Sequence, residues 1–235
     1  MKPYVISHMN SSVDGRILGS RWRPSENRMA GLFERIHGEL GGGSWLIGRV
    51  TGSEYAKAQA YPSHTDQTYP REPWFARRDA KAYGIALDAQ GKIAWGRPDI
   101  DGDPIVAVLT EQIADAHLAG LRQDRVSYIF AGDRELDLGL ALEILNRELG
   151  IERLLLEGGG GSNGSFLRAG LIDEISLAIC PAVDGREGRR ASSTRATRMP
   201  ASQRRLARIS HTGSDISSRG GAADDGAAGI MAVVG

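Results

Sequence analysis

The residues best suited to chemistry form one run, Leu154-Leu155-Leu156-Glu157-Gly158-Gly159-Gly160-Gly161-Ser162-Asn163-Gly164-Ser165-Phe166-Leu167. An apolar strand here passes through consecutive glycines into a helix. Glycines carry no side chains, so a diphosphate can approach backbone N–H groups, and the following helix turns the positive end of its dipole toward that anion. Ser162 and Ser165 add hydroxyl donors. The carboxylate of Glu157, beside the glycines, suits a hydrogen bond to substrate or a proton transfer, and equally suits a structural anchor for backbone donors. The same glycine pattern also makes an ordinary flexible turn. Its position after an apolar strand favours phosphate.

Two further segments repeat this geometry more weakly. Gly48-Arg49-Val50-Thr51 lies where a strand passes into a helix. A guanidinium there can grip a ribose 2′-phosphate with two parallel hydrogen bonds, which would favour NADPH over NADH; a surface Arg with Thr51 as helix cap explains the segment as well. Ala131-Gly132 follows the run Ser127 to Phe130, and Gly132 serves either a close-lying ligand or a plain turn. In the polar stretch Asn10 to Arg16, Asp14 could orient a substrate, but Asp14-Gly15 is also a common turn pair. His8, His37, His64, His117 and His211 have no metal-ligand spacing with one another or with a cysteine, so no metal is expected. Cys180, the only cysteine, sits in an apolar run and reads as a small buried hydrophobe.

These residues need strands and helices to position them. Strands are expected at Tyr4 to Met9, Ser44 to Gly48, Ala82 to Leu87, Lys92 to Trp95, Ile105 to Leu109, Ser127 to Phe130, Arg153 to Leu156 and Ile175 to Ile179. Helical spacing links Met29, Leu32, Phe33, Ile36 and Leu40 after a candidate cap at Ser25. Further helices are expected at Thr51 to Ala58, Glu111 to Arg122, Leu138 to Leu149 and Ser165 to Ala169. Alternation of this kind, with strands that read as continuous apolar runs, argues for an α/β fold whose mostly parallel sheet is covered on both faces. Ligands of such sheets bind at the carboxyl ends of the strands. The long Tyr-, Pro- and His-containing segment through Pro73 reads as a lid or an insertion.

Equal numbers of basic and acidic residues, 29 of each, leave no global field to draw in nucleic acid or an anionic membrane, so the expected partner is a small molecule. No window has the length of a membrane span and the N-terminus lacks the apolar core of a signal peptide, which points to the cytoplasm. From about Gly185 the character changes. The remainder has no Phe, Trp, Tyr or Lys, is rich in Arg, Ser, Ala and Gly, and sustains neither period. Residues 186–235 therefore read as a disordered tail or as the product of a changed reading frame, with residues 1–185 as the folded domain.

Ser7 to Arg16 (SHMNSSVDGR), Leu46 to Thr51 (LIGRVT), and Leu154 to Gly161 with Leu171 to Val183 (LIDEISLAICPAV) together resemble the reductase domain of the bifunctional riboflavin-biosynthesis deaminase/reductase. The resemblance implies a dihydrofolate-reductase-like fold and NADPH bound by Gly48, Arg49, Val50 and Thr51, by Ala131 and Gly132, and by Gly158, Gly159, Gly160, Gly161 and Ser162. It implies Met9, Asn10 and Ser12 on the substrate side, with Asp14 and Glu157 as catalytic carboxylates. The implied reaction is hydride transfer that turns a ribosylamino pyrimidine, such as 5-amino-6-(5-phosphoribosylamino)uracil, into its ribitylamino product, carried out by a homodimer. A reductase of the same fold acting on a pterin or another carbonyl or imine, and an NADPH-binding module without turnover, are the alternatives. The chain departs from the family at Gly48 to Glu54, where the riboflavin enzymes carry Gly-Thr-Val followed by Asp and Pro. It also has no H-x-E with P-C-x-x-C of a zinc deaminase.

Overall fold

The computed structural model describes residues 1–25, 31–185 and 230–234, the last as backbone pairing. The described chain divides into two compact units, one of Met1–Val5 with Gly43–Ile172 and the other of Ile6–Gly42 with Asp173–Gly235. Strand β1 (Tyr4–Ser12) starts in the first unit, where the Tyr4 N–H donates to the Glu152 carbonyl, and continues into the second.

The first unit holds β2 (Trp45–Gly48), β3 (Gly84–Leu87), β4 (Asp99–Ile100), β5 (Asp103–Leu109), β6 (Ser127–Phe130) and β7 (Arg153–Leu156). Their lateral order is β6-β5-β3-β2-β7, all parallel, with β4 as a short antiparallel arm on the start of β5. The carboxyl ends of these five parallel strands thus share one edge. Helix α2 (Arg49–Tyr55) packs on β2 and β3, α3 (Asp115–Gln123) and α4 (Leu138–Leu149) on β6, and α5 (Gly160–Arg168) on β2. The core between them gathers Val5, Leu46, Ile85, Val106, Ile129, Leu142, Leu145, Leu154 and Phe166. Burial at this density, at roughly 25 cal/mol per Å² of apolar surface, is what holds the strand ends in register.

In the second unit β1 pairs in parallel with β8 (Glu174–Cys180), and β8 pairs antiparallel with β9 (Ile230–Val234). Helix α1 (Leu32–Glu39) contributes Leu32 and Ile36 to a smaller core with Trp22, Ala178, Cys180 and Ala182. Cys180 is fully buried and burial raises its thiol pKa, so it packs as an inert hydrophobe.

The expected α/β architecture with a mostly parallel sheet and flanking helices is the one observed. Several details differ from that expectation. Lys92–Trp95 is not a strand, because the buried Asp88 carboxylate takes the Lys92 and Ile93 N–H groups that a ladder would use. β1 runs three residues past Met9, because Asn10, Ser11 and Ser12 keep their register with Ala178, Ile179 and Cys180. The segment through Pro73, read as a lid or an insertion, is held by side-chain and backbone bonds. Arg71 pairs with Asp115 at 2.6 Å and donates to the Ile113 carbonyl, while Trp74 and Tyr128 exchange backbone bonds of 2.9 and 2.8 Å. Of the stretch beyond residue 185, read as a tail, only Ile230–Val234 is described, and it is a strand that the sequence reading did not place; residues 186–229 and 235 lie outside the described residues. Helix α1 is preceded by Gly31, in a left-handed conformation, while the residues directly after Ser25, with Met29, lie outside the described residues.

Candidate functional site

At the shared carboxyl edge, β2 and β7 are neighbours, with Trp45 and Leu46 in register with Leu155 and Leu156. The Glu157 N–H extends this pairing by donating to the Leu46 carbonyl at 2.9 Å, which leaves its half-buried side chain at the strand exit. Chain then turns through Gly158 and Gly159 into α5, whose first turn lies over the end of β2.

The glycines of this turn divide into two kinds. A Cβ on Gly48 would overlap the Ser162 hydroxyl, and one on Gly158 would lie 2.7 Å from Ser162 Cβ and 3.0 Å from Asn163 Oδ1. These two glycines are needed for α5 to sit against the strand ends. A Cβ on Gly159 or Gly161 would meet nothing within 4 Å. Among the described residues nothing crowds those two, so the backbone there is open to an approaching group. No side chain caps α5 at Gly159, so the leading N–H groups of its first turn remain for an anion. The Asn163 Oδ1, buried and without a hydrogen-bond partner among the described residues, faces the same turn at Gly158. Sequence reading passed over Asn163; its place in the first turn of a Gly-rich helix was the available signal.

Gly48 joins this arrangement as the N-cap of α2. Contact of Gly48 with Ser162 therefore brings Arg49 beside the glycine turn. Arg49 and Val50 are exposed, Thr51 is half-buried, and no hydrogen bond or ion pair to the Arg49 guanidinium is found among the described residues. The alternative role of Thr51 as helix cap is corrected: it lies inside the helix, two residues past its first position.

Ala131 and Gly132 stand apart from this turn. In the order β6-β5-β3-β2, the end of β6 lies three strands from β2, or about 14 Å at ~4.8 Å per strand. Gly132 has φ of +106° and its Cβ would overlap the Glu135 carbonyl, so the turn itself requires glycine. Ala131 donates to the Leu109 carbonyl and accepts from the Asp137 N–H, both at 2.9 Å.

In the second unit, Ser12 and Asp14 build a loop. The Ser12 hydroxyl donates to Asp14 Oδ1 at 2.5 Å and accepts the Arg16 N–H at 3.0 Å, with Ser12 only 1% exposed. Asp14 also accepts the N–H groups of Asp184 and Gly185. The Ser12 hydroxyl above all, then these backbone donors, hold the Asp14 carboxyl below the usual range against the opposing effect of desolvation. An exposed carboxylate so held is ionised at neutral pH and is no proton donor. Met9 and Asn10 are half-buried on β1, in register with Leu177 and Ala178. His8 is fully buried between the Ser176 hydroxyl and the Phe33 carbonyl and stacks on Phe33, a structural arrangement. Among the described residues no cluster of three His, Cys, Asp or Glu side chains is placed to hold a metal, and no helix is long and apolar enough to cross a membrane.

Comparison with known proteins follows the same lines. The family model described as the RibD C-terminal domain matches residues 88–218. A 2,5-diamino-6-ribosylamino-4(3H)-pyrimidinone 5′-phosphate reductase of Methanothermobacter thermautotrophicus is 43% identical over 90 residues, which is 38% of this chain and 41% of that protein. The reductase of the same name from Aquifex aeolicus is 32% identical over 187 residues, or 79% of this chain and 80% of that protein. The chain thus spans under half of the first relative and four fifths of the second. Among solved structures, the riboflavin biosynthesis reductase of Saccharomyces cerevisiae shares the fold with a TM-score of 0.55 at 16% identity, over 99% of this chain and 89% of that one.

Proposed function

Since this chain belongs to the RibD C-terminal domain family of riboflavin-biosynthesis reductases, we propose that it uses NADPH to reduce a pyrimidine ribosylamino phosphate to the ribitylamino compound. The observation that supports this most is the division of glycines at the β7 exit: Gly48 and Gly158 seat α5, and Gly159 and Gly161 stand open beside Arg49. The residues present fit a dinucleotide phosphate. When bound, NADPH supplies the hydride.

The chain's own residues hold and orient. In this reading, backbone N–H groups of Gly159 to Gly161 and the Ser162 hydroxyl hold the diphosphate, and the Arg49 guanidinium with Thr51 holds the 2′-phosphate. Val50 only spaces Arg49 from Thr51. Glu157, at the strand exit next to the cradle, orients the substrate. Asp14, ionised and tied to the Ser12 hydroxyl, is no proton donor, and in this reading the proton that accompanies the hydride comes from water. Ala131 and Gly132 serve their own turn. Both curated relatives are named for the 2,5-diamino pyrimidinone, which makes that compound the first substrate to test, ahead of the aminouracil. We also propose a cytoplasmic homodimer. Val13, Ile17, Leu18 and Val183 of the second unit are large exposed hydrophobics of the kind a second copy covers.

The test is a fluorescence titration with NADPH and NADH on the protein and on Arg49→Ala, followed by turnover with the diamino pyrimidinone. Loss of one charge-assisted phosphate contact should weaken NADPH by about tenfold or more and leave NADH unchanged. Equal affinity of both nucleotides for the unaltered protein would overturn the 2′-phosphate assignment. Binding of NADPH without its oxidation by any pyrimidine or pterin would make the protein a nucleotide-binding module.

A further inference from the structure

The strand exit next to the site carries a buried carboxylate that the proposed chemistry does not use. Asp88 follows β3 directly and is 1% exposed. Its oxygens accept the Lys92 N–H at 2.9 and 2.8 Å and the Ile93 N–H at 2.8 Å, while its own N–H donates to the Val108 carbonyl. The bend this creates is closed further by the Gly91 N–H on the Asp88 carbonyl and by the Thr110 hydroxyl on the Ala89 carbonyl. Residues 92–95 are thus fixed in a non-strand path with Ile93 and Trp95 turned inward, 1% and 0% exposed.

Those two side chains are the seat of α2. A Cβ on the buried Gly52 would lie 2.9 Å from Ile93 Cδ1, 3.4 Å from Trp95 Cη2 and 3.6 Å from Ala86 Cβ, so the helix rests on them with no spare room. The Trp95 carbonyl accepts the Lys57 N–H at 2.7 Å just beyond the helix, which fixes its far end to the same loop. The near end begins at Arg49. Carboxylate, loop, helix and guanidinium are therefore linked by contacts that leave little slack, because packed interiors transmit displacement rather than absorb it.

We propose that Asp88 is a positioning residue for nucleotide selection: by clamping residues 92 and 93 it sets the seat of α2 and so the reach of Arg49 toward the 2′-phosphate. This rests on the assignment of Arg49 made above. Asp88→Asn keeps the volume and one accepting oxygen but loses the second. It should weaken NADPH by about three- to tenfold, the size expected for a misplaced charge-assisted contact, with NADH changed less than about twofold. A merely structural Asp88 would lower stability and leave the ratio of the two affinities alone. Gly52→Ala, which presses on Ile93 from the helix side, should lower the same ratio by a separate route and keeps the test open if Asp88→Asn does not fold.

The decisive experiment measures both nucleotides on the full chain and on Arg49→Ala, Asp88→Asn, Gly52→Ala and the Arg49/Asp88 double variant. Non-additive loss of NADPH preference in the double variant, with Asp88→Asn adding nothing once Arg49 is gone, supports the coupling. Preference lost in Arg49→Ala but intact in Asp88→Asn and Gly52→Ala overturns the inference and leaves the function standing. Preference intact in Arg49→Ala overturns both.

Discussion

Two strand exits of the first unit carry the same sequence signal, an apolar strand, then glycine, then a helix, and they do opposite things. At the β6 exit the backbone is closed on itself. Ala131 is bonded through both its groups, the Gly132 carbonyl accepts the Glu111 N–H, and α4 is capped by Asp137, whose side chain accepts the Leu140 N–H. At the β7 exit α5 has no side-chain cap and two of its glycines face open space. A glycine forced by its own turn reports on folding, whereas uncrowded glycines at the uncapped start of a helix leave backbone open to a ligand.

The largest expected effect would break this comparison at the closed exit. Gly132→Ala places a Cβ on the Glu135 carbonyl at a positive φ and should cost about 3 kcal/mol of stability, read by urea unfolding, with NADPH affinity of the folded protein unchanged. A loss of nucleotide binding larger than the loss of stability would move Gly132 into the site.

At the open exit the effects should run the other way. Gly161→Ala lies within α5 with nothing near its Cβ, so it should stabilise the helix by about 0.5–1 kcal/mol while weakening NADPH by about tenfold. A variant that is both more stable and equally tight would remove the cradle from the reading.

The smallest effect sharpens the comparison at a third exit, that of β3, which is closed like β6. His117 lies with its Nε2 buried and without a hydrogen-bond partner among the described residues, 4.0 Å from Asp88 Oδ2, and its ring is edge-on to Tyr61. Burial lowers its pKa from the ordinary 6.5, outweighing the nearby Asp88 charge. Below pH 6.5 the unfolded chain then takes up a proton that the folded chain refuses. Stability is complete above that pH and declines as pH falls through the folded pKa, by at most about 1.4 kcal/mol per pH unit. His117→Gln should flatten this slope in a thermal-unfolding series between pH 7 and 5; an unchanged slope would assign it to other groups.

Elements whose limits are written into their own residues were legible. Leu138–Leu149 was expected and found to the residue, because Asp137 caps one end, Gly150 takes the left-handed conformation at the other, and Leu142 and Leu145 fall on the buried face between. Ser127–Phe130 and Arg153–Leu156 held their bounds for a similar reason, each a short apolar run enclosed by breakers. The β7 glycine run was legible as a place where backbone is exposed, and the likeness to a reductase family was legible in four segments.

Only the tertiary structure decided the rest. Lys92–Trp95 has the composition of a strand, yet a carboxylate four residues upstream captures its N–H groups, and such competition between side chain and ladder depends on burial that no local pattern records. Five apolar residues at Ile230–Val234 say nothing of β8, some fifty positions away, which supplies their hydrogen-bond partners. The sequence by itself determined where the chain can turn, which runs are apolar, and which residues resemble a known reductase. Whether a given glycine makes room for a neighbouring helix, for its own turn or for a ligand was decided by which atoms the fold brings within a few ångströms of its Cα, because that distance is set by packing between segments far apart in the chain.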